Sequence, residues 1–91
     1  MDIYMKTKAV DLIENKEVAS ILDWYNELYS YQILQSDNGF TRLDLQTGDI
    51  QEIDIEEMVR YYILEIEGKL YYEPSDKLKN ELEILKKYIE K

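Results

Sequence analysis

The sequence predicts an α+β fold: an N-terminal helical pair, a three-stranded antiparallel meander, and C-terminal helices packed on the sheet. Three observations carry this reading. Apolar residues recur at helical spacing up to Tyr29, and beyond Tyr31 they alternate singly with polar ones. Two turn dipeptides, Asn38-Gly39 and Thr47-Gly48, divide the alternating stretch into three. Helical spacing then returns in the last third of the chain. With 91 residues and no repeat, low-complexity tract or linker, the expectation is a single compact domain over 1–91.

The first element is a short helix in KAVDLIEN, with Thr7 as its N-cap and Val10, Leu12 and Ile13 as its apolar side. Asn15 ends it and caps the next. In EVASILDWYNELYS, residues Val18, Ile21, Leu22, Tyr25 and Tyr29 share one helical face, while Ser20, Asp23 and Glu27 fall outside it. Trp24 and Leu28 widen the apolar side, so a well-buried helix is expected.

Strands follow near 31–36, 40–46 and 50–54. Asn-Gly suits a tight hairpin because both central residues there need positive φ. Leu43 and Leu45 alternate with Arg42, Asp44 and Gln46; Ile53 and Ile55 alternate with Glu52, Asp54 and Glu56. Ile50 is out of phase with Ile53, which implies a bulge or a late strand start.

DIEEMVRYYILEI fits two patterns. Ile55, Met58, Val59, Tyr62, Ile63 and Ile66 make a helical face behind Asp54 as N-cap. YYILEI and KLYYE would instead make a hairpin turning at Glu67-Gly68. The helix is favoured, with KLYYE a short extended segment before Pro74, a residue that disfavours helix in its predecessor. The last helix has Ser75 as cap and Leu78, Leu82, Leu85 and Ile89 as its stripe. Asp76 stands at the positive end of its dipole, and Lys86, Lys87 and Lys91 at the negative end. Glu83 and Lys87 form a favourable i,i+4 pair.

Bulk composition narrows the function classes. Apolar residues are 45% of the chain, but a chain this short buries only about 60–65% of its unfolded surface, so the core is thin. There is no cysteine, which excludes disulfides and thiolate metal sites and fits a reducing compartment. MDIYMKTKAVDL has no basic region followed by an apolar run, and no stretch approaches the ~18 apolar residues of a membrane span. A cytoplasmic protein is expected.

No motif for chemistry stands out. Histidine is absent, which removes the commonest general base and metal ligand. Gly39, Gly48 and Gly68 stand alone in turn-like contexts and build no phosphate cradle. The acids of 44–57 lack EF-hand spacing. The second helix of a would-be helix-turn-helix carries Glu17, Asp23 and Glu27 and no base after Lys16, so it would repel phosphate. LDLQTGDI resembles the strand-turn-strand of propeller blades, but one copy cannot build a propeller. No enzymatic activity, cofactor, metal or direct nucleic-acid contact is expected.

Two features remain, and charge is the first. The net charge is −9. Residues 1–43 carry seven acids and four bases; 44–67 carry eight acids and only Arg60; 68–91 carry five acids and six bases. The middle quarter therefore supplies most of the imbalance. If the third strand continues, Glu52, Asp54 and Glu56 form a row about 6.6–6.8 Å apart. Asp44 joins it or not according to register, and Glu57 adds nearby. Such a row imitates the charge pattern of a nucleic-acid backbone. The alternative is a solvated strand face that keeps a sheet edge from pairing.

The second feature is tyrosine: nine, against one Phe. Tyr25, Tyr29 and Tyr62 fall on core faces. Tyr61 turns toward the polar side, and one of Tyr71 and Tyr72 must point outward if that segment is extended. Tyrosine is enriched at interface hot spots, although AT-rich coding also favours it. The candidate partner-binding residues are Asp44, Asp49, Glu52, Asp54, Glu56, Glu57, Tyr61 and Tyr72.

In size, charge and lack of motifs the chain is similar to small acidic phage proteins that block host restriction or CRISPR nucleases. That class-level likeness implies a non-enzymatic inhibitor that occupies a basic nucleic-acid-binding surface of a larger protein. The alternatives are an immunity protein or antitoxin that neutralises a basic toxin nuclease, and a housekeeping homodimer whose acidity serves only solubility. A monomer and a homodimer are both compatible with the sequence.

Overall fold

The computed structural model describes residues 4–37 and 39–90. The chain mixes helix and antiparallel sheet, and its contacts group into two compact units, Met1–Asp54 and Ile55–Lys91.

The first unit contains β1 (Met5–Thr7), α1 (Ala9–Leu12), α2 (Lys16–Leu28), β2 (Tyr31–Ser36), β3 (Gly39–Asp44) and β4 (Ile50–Glu52). The sheet has four strands in the order β1-β2-β3-β4, all antiparallel, rather than the three expected. The added strand, β1, pairs Met5 with Gln35 and Thr7 with Ile33. Three residues are too few to display an alternation, so β1 leaves no pattern of its own in the sequence. Thr7 is therefore a strand residue and not a helix cap. Lys8 occupies the cap position of α1 in extended conformation and makes no side-chain cap bond.

The cap of α1 comes from elsewhere in the chain. The Asp23 carboxylate, on α2, accepts from the backbone N–H of Ala9 at 2.7 Å and of Val10 at 3.1 Å. This satisfies donors that a helix start leaves orphaned. Asn15 caps α2 as expected, accepting from the Val18 N–H at 3.2 Å. Val18, Ile21, Leu22 and Tyr25 are buried on the expected face, with Ala19 and Asn26 beside them. Tyr29 ends the helix and Ser30 adopts a left-handed φ of 60°, from which the chain enters β2.

The strand register fixes the faces. Ile33 lies opposite Thr7 and Arg42, and Leu34 opposite Lys6 and Thr41. Ile33 and Leu34 are both buried, so β2 is shielded on both sides and shows no simple alternation. Arg42, which alternates with Leu43 and Leu45 in the sequence, is also buried: its guanidinium lies 4.1 Å from the Tyr31 ring centroid and donates to Gln51 Oε1 at 3.0 Å. Gly39 has φ +127° and Gly48 φ +80°, conformations that favour glycine. Asn38, the other half of the first turn signal, lies outside the described residues. β4 ends at Glu52, although Ile53 N–H still reaches Phe40 O at 3.3 Å.

The second unit is a helical hairpin of α3 (Ile55–Tyr72) and α4 (Asp76–Ile89), which pack against each other. The favoured helix is present and begins directly after Asp54, with Met58, Val59, Tyr62, Ile63 and Ile66 buried. It runs further than expected. Gly68 lies inside it rather than in a turn, and KLYYE is not extended, because Pro74 restricts Glu73 and leaves Tyr72 free to be helical. In α4 the Ser75 hydroxyl accepts from Leu78 N–H at 3.3 Å. Leu85 is buried, and Leu78, Leu82 and Ile89 are half-buried. Glu67 pairs with Lys86 at 3.5 Å. Lys91 lies outside the described residues.

Candidate partner-binding surfaces

The structure does not assemble the expected acidic row. Glu52 closes β4, Asp54 lies beyond it in the connecting segment, and Glu56 begins the first turn of α3. The strand is too short to bring the three into one spaced line. Register also separates Asp44 from Glu52. Leu43 faces Ile50 and Thr41 faces Glu52, so Asp44 projects to the opposite side of the sheet. The candidate residues fall in both units: Asp44, Asp49, Glu52 and Asp54 in the first, and Glu56, Glu57, Tyr61 and Tyr72 in the second.

Two of these acids have structural uses. Asp44 Oδ1 accepts from the backbone N–H groups of Gln46 and Thr47, at 2.8 and 3.2 Å, and holds the turn into β4. Glu56 pairs with Arg60 at 2.8 Å across one helical turn, where both side chains are exposed and the pair adds little stability. Asp49, Glu52, Asp54 and Glu57 are exposed. Asp44 and Asp49 also line a small depression with Tyr31, Arg42 and Gln51, which places carboxylates beside the buried guanidinium.

The tyrosines divide more clearly. Tyr61 is half-buried and meets Tyr62 edge to face, with ring centroids 5.3 Å apart. Tyr71 and Tyr72 end α3 and are 83% and 82% exposed, their rings 5.1 Å apart and nearly perpendicular. Both point outward because the segment is helical, and neighbours on a helix are about 100° apart rather than on opposite faces.

The surface that sequence reasoning missed lies on α2. Trp24 and Leu28, expected in the core, are 55% and 52% exposed. The buried stripe of α2 runs through Val18, Ile21, Leu22 and Tyr25, and the residues that would widen it face solvent instead. Trp24 and Glu27 form a shared wall between two depressions. One, of about 670 Å³, is also lined by Lys8, Tyr31, Gln32 and the exposed Leu45; the other, of about 320 Å³, by Leu28. The available signal was the hydrophobic width of the helix: Trp24 and Leu28 exceed what one buried stripe accommodates.

Among the described residues no group of three or more acidic, histidine or cysteine side chains is placed to hold a metal ion. Among the same residues no helix is long and apolar enough to cross a membrane. No protein-family model, curated protein or solved structure matches this chain.

Proposed function

We propose that the protein is a non-catalytic binding protein that engages a basic, nucleic-acid-binding surface of a larger protein and blocks it. A phage-type inhibitor of a host defence nuclease, such as a CRISPR effector, is the specific form of this reading. The observation that carries it is the concentration of charge: eight acids against one base between residues 44 and 67, in a chain of net charge −9. Asp49, Glu52, Asp54, Glu56 and Glu57 are all exposed, so their field extends into solvent. Because those acids form no evenly spaced row, the mimicry is one of charge density and not of phosphate spacing. The exposed Trp24 and Tyr72 supply the amphipathic area that interface hot spots use.

The test is capture on the immobilised protein from lysates of its source cell and that cell's host, at low and high salt. It is repeated with a variant carrying Asp49→Asn, Glu52→Gln, Asp54→Asn, Glu56→Gln and Glu57→Gln. The expected result is a nucleic-acid-handling protein that is retained at low salt, displaced by added nucleic acid, and lost with the variant. Retention that is indifferent to all five substitutions refutes the role of the acids. The partner's identity separates a defence inhibitor from an antitoxin.

A further inference from the structure

The sheet ends on one side at β4, and only half of that strand's backbone is used. Asp44 N–H donates to Asp49 O at 2.9 Å, and Ile53 N–H to Phe40 O at 3.3 Å. Leu43 lies opposite Ile50 and Thr41 opposite Glu52. In an antiparallel ladder bonded and non-bonded pairs alternate, so positions 49, 51 and 53 bond to β3. The N–H and C=O groups of Ile50 and Glu52 therefore point away from β3. Among the described residues no strand lies beyond them, and Ile50, Gln51 and Glu52 are all exposed. An open row of this kind is a template for one more strand.

The side chains along the edge select the strand. Ile50 and Glu52 project to the face of Leu43 and Thr41, and Asp49 and Gln51 to the face of Arg42. From Asp44 to Val59 the chain contains no base. Neither the Asp49 nor the Glu52 carboxylate has an ion-pair partner among the described residues. Opposite charges across a strand pair stabilise it and like charges destabilise it. The acids that keep a similar strand off this edge therefore admit a basic one. The other edge, β1, carries Lys6. Its pairing with β4 of a second copy would repeat head to tail without closing, between chains of charge −9 that repel.

We infer that the β4 edge receives an extended basic segment of the partner as an added antiparallel strand. One basic residue stands opposite Glu52 and another opposite Asp49, with an apolar residue opposite Ile50. The inference rests on the basic partner proposed above and adds the mode of contact: backbone pairing at one sheet edge, and not charge alone.

The test is an NMR titration of the full chain with the end-capped peptide Thr-Lys-Thr-Val-Lys-Thr, followed by amide hydrogen exchange. Binding that slows exchange at Ile50 and Glu52 is expected. Replacing both lysines by glutamate should weaken it by about 10-fold or more. N-methylation of the valine keeps the charge, deletes a backbone donor and should abolish the slowing. Ile50→Pro removes an N–H that β3 does not use, so the fold stays and the peptide is lost. A peptide that binds without slowing Ile50 and Glu52, or binds equally well when N-methylated, overturns the inference and leaves attraction between the acids and a basic partner standing. The absence of binding at millimolar peptide and low salt also overturns it. So does slowing at both amides that grows with protein concentration alone, which gives the edge to a second copy.

Discussion

Asp23→Ala tests the least expected joint of the fold. The Asp23 carboxylate caps α1 from the flank of α2 by accepting two backbone N–H groups, Ala9 at 2.7 Å and Val10 at 3.1 Å. Ala9 is completely buried, so its N–H has no route to water once the carboxylate is gone. An orphaned buried donor costs about 1–3 kcal/mol, and a net hydrogen bond to a charged acceptor is worth about 1.5–3 kcal/mol. Val10 is half-buried and recovers part of its loss from solvent. The two bonds share one acceptor and do not simply add, so the expected destabilisation is about 2–3 kcal/mol, somewhat above the usual cost of losing a helix cap. In urea, with a slope of about 1.2 kcal/mol per molar, the midpoint falls by about 2 M at unchanged slope. Circular dichroism follows the transition, and the fluorescence of the single tryptophan, adjacent at position 24, reports on the same helix. Asp23→Asn keeps a carbonyl acceptor and should lose only about 1 kcal/mol. A midpoint for Asp23→Ala within about 0.3 M of the parent would refute the reasoning, because a bond to a fully buried donor cannot vanish so cheaply.

Two further substitutions separate backbone effects from capping effects. Gly48→Ala places a Cβ where nothing crowds it but at φ +80°, so its cost is conformational alone, about 1–2 kcal/mol in thermal or urea unfolding. An unchanged stability would mean that the turn between β3 and β4 relaxes to another form. Ser75→Ala removes the acceptor for Leu78 N–H at the start of α4 and should cost about 1 kcal/mol, with Ser75→Asp restoring it.

The legible part of this sequence is its periodicity and its caps. Asn15 and Ser75 are legible as caps because a side-chain acceptor three residues before its donor is a local pattern. The boundaries of β2 and β3 were close because Gly39 and the turn at Gly48 punctuate them. The misses have nonlocal causes. β1 exists only by pairing with β2, and α1 is capped by a residue fourteen positions away, so neither leaves a local trace. Arg42 alternates with the apolar Leu43 and Leu45 in the sequence, and its burial depends on the Tyr31 ring and the Gln51 carbonyl opposite it, which that pattern does not encode. Trp24 and Leu28 were assigned to the core by hydrophobicity, yet a thin core takes only one stripe of α2. The eight candidate residues share a chemical type, and type alone does not encode register, which puts Asp44 and Glu52 on opposite sides of the sheet.

That separation bears on how such a protein can bind. A template for phosphate positions needs carboxylates at fixed intervals on one rigid element, and here only Glu52 of the proposed row lies on a strand. A steering field needs no such order. At physiological salt the screening length is about 8 Å, so neighbouring charges sum into a potential even where their spacing is irregular. Fields of that kind raise encounter rates and discriminate against acidic partners more than they hold a complex together. Under the proposed function, residence must then come from short-range contacts that exclude water, and the exposed Trp24 and Leu28 on α2 and Tyr72 on α3 are suited to them. On that reading, an acidic protein of this build attracts with its carboxylates and grips with exposed apolar groups, of which hydrophobicity alone assigns Trp24 and Leu28 to the core.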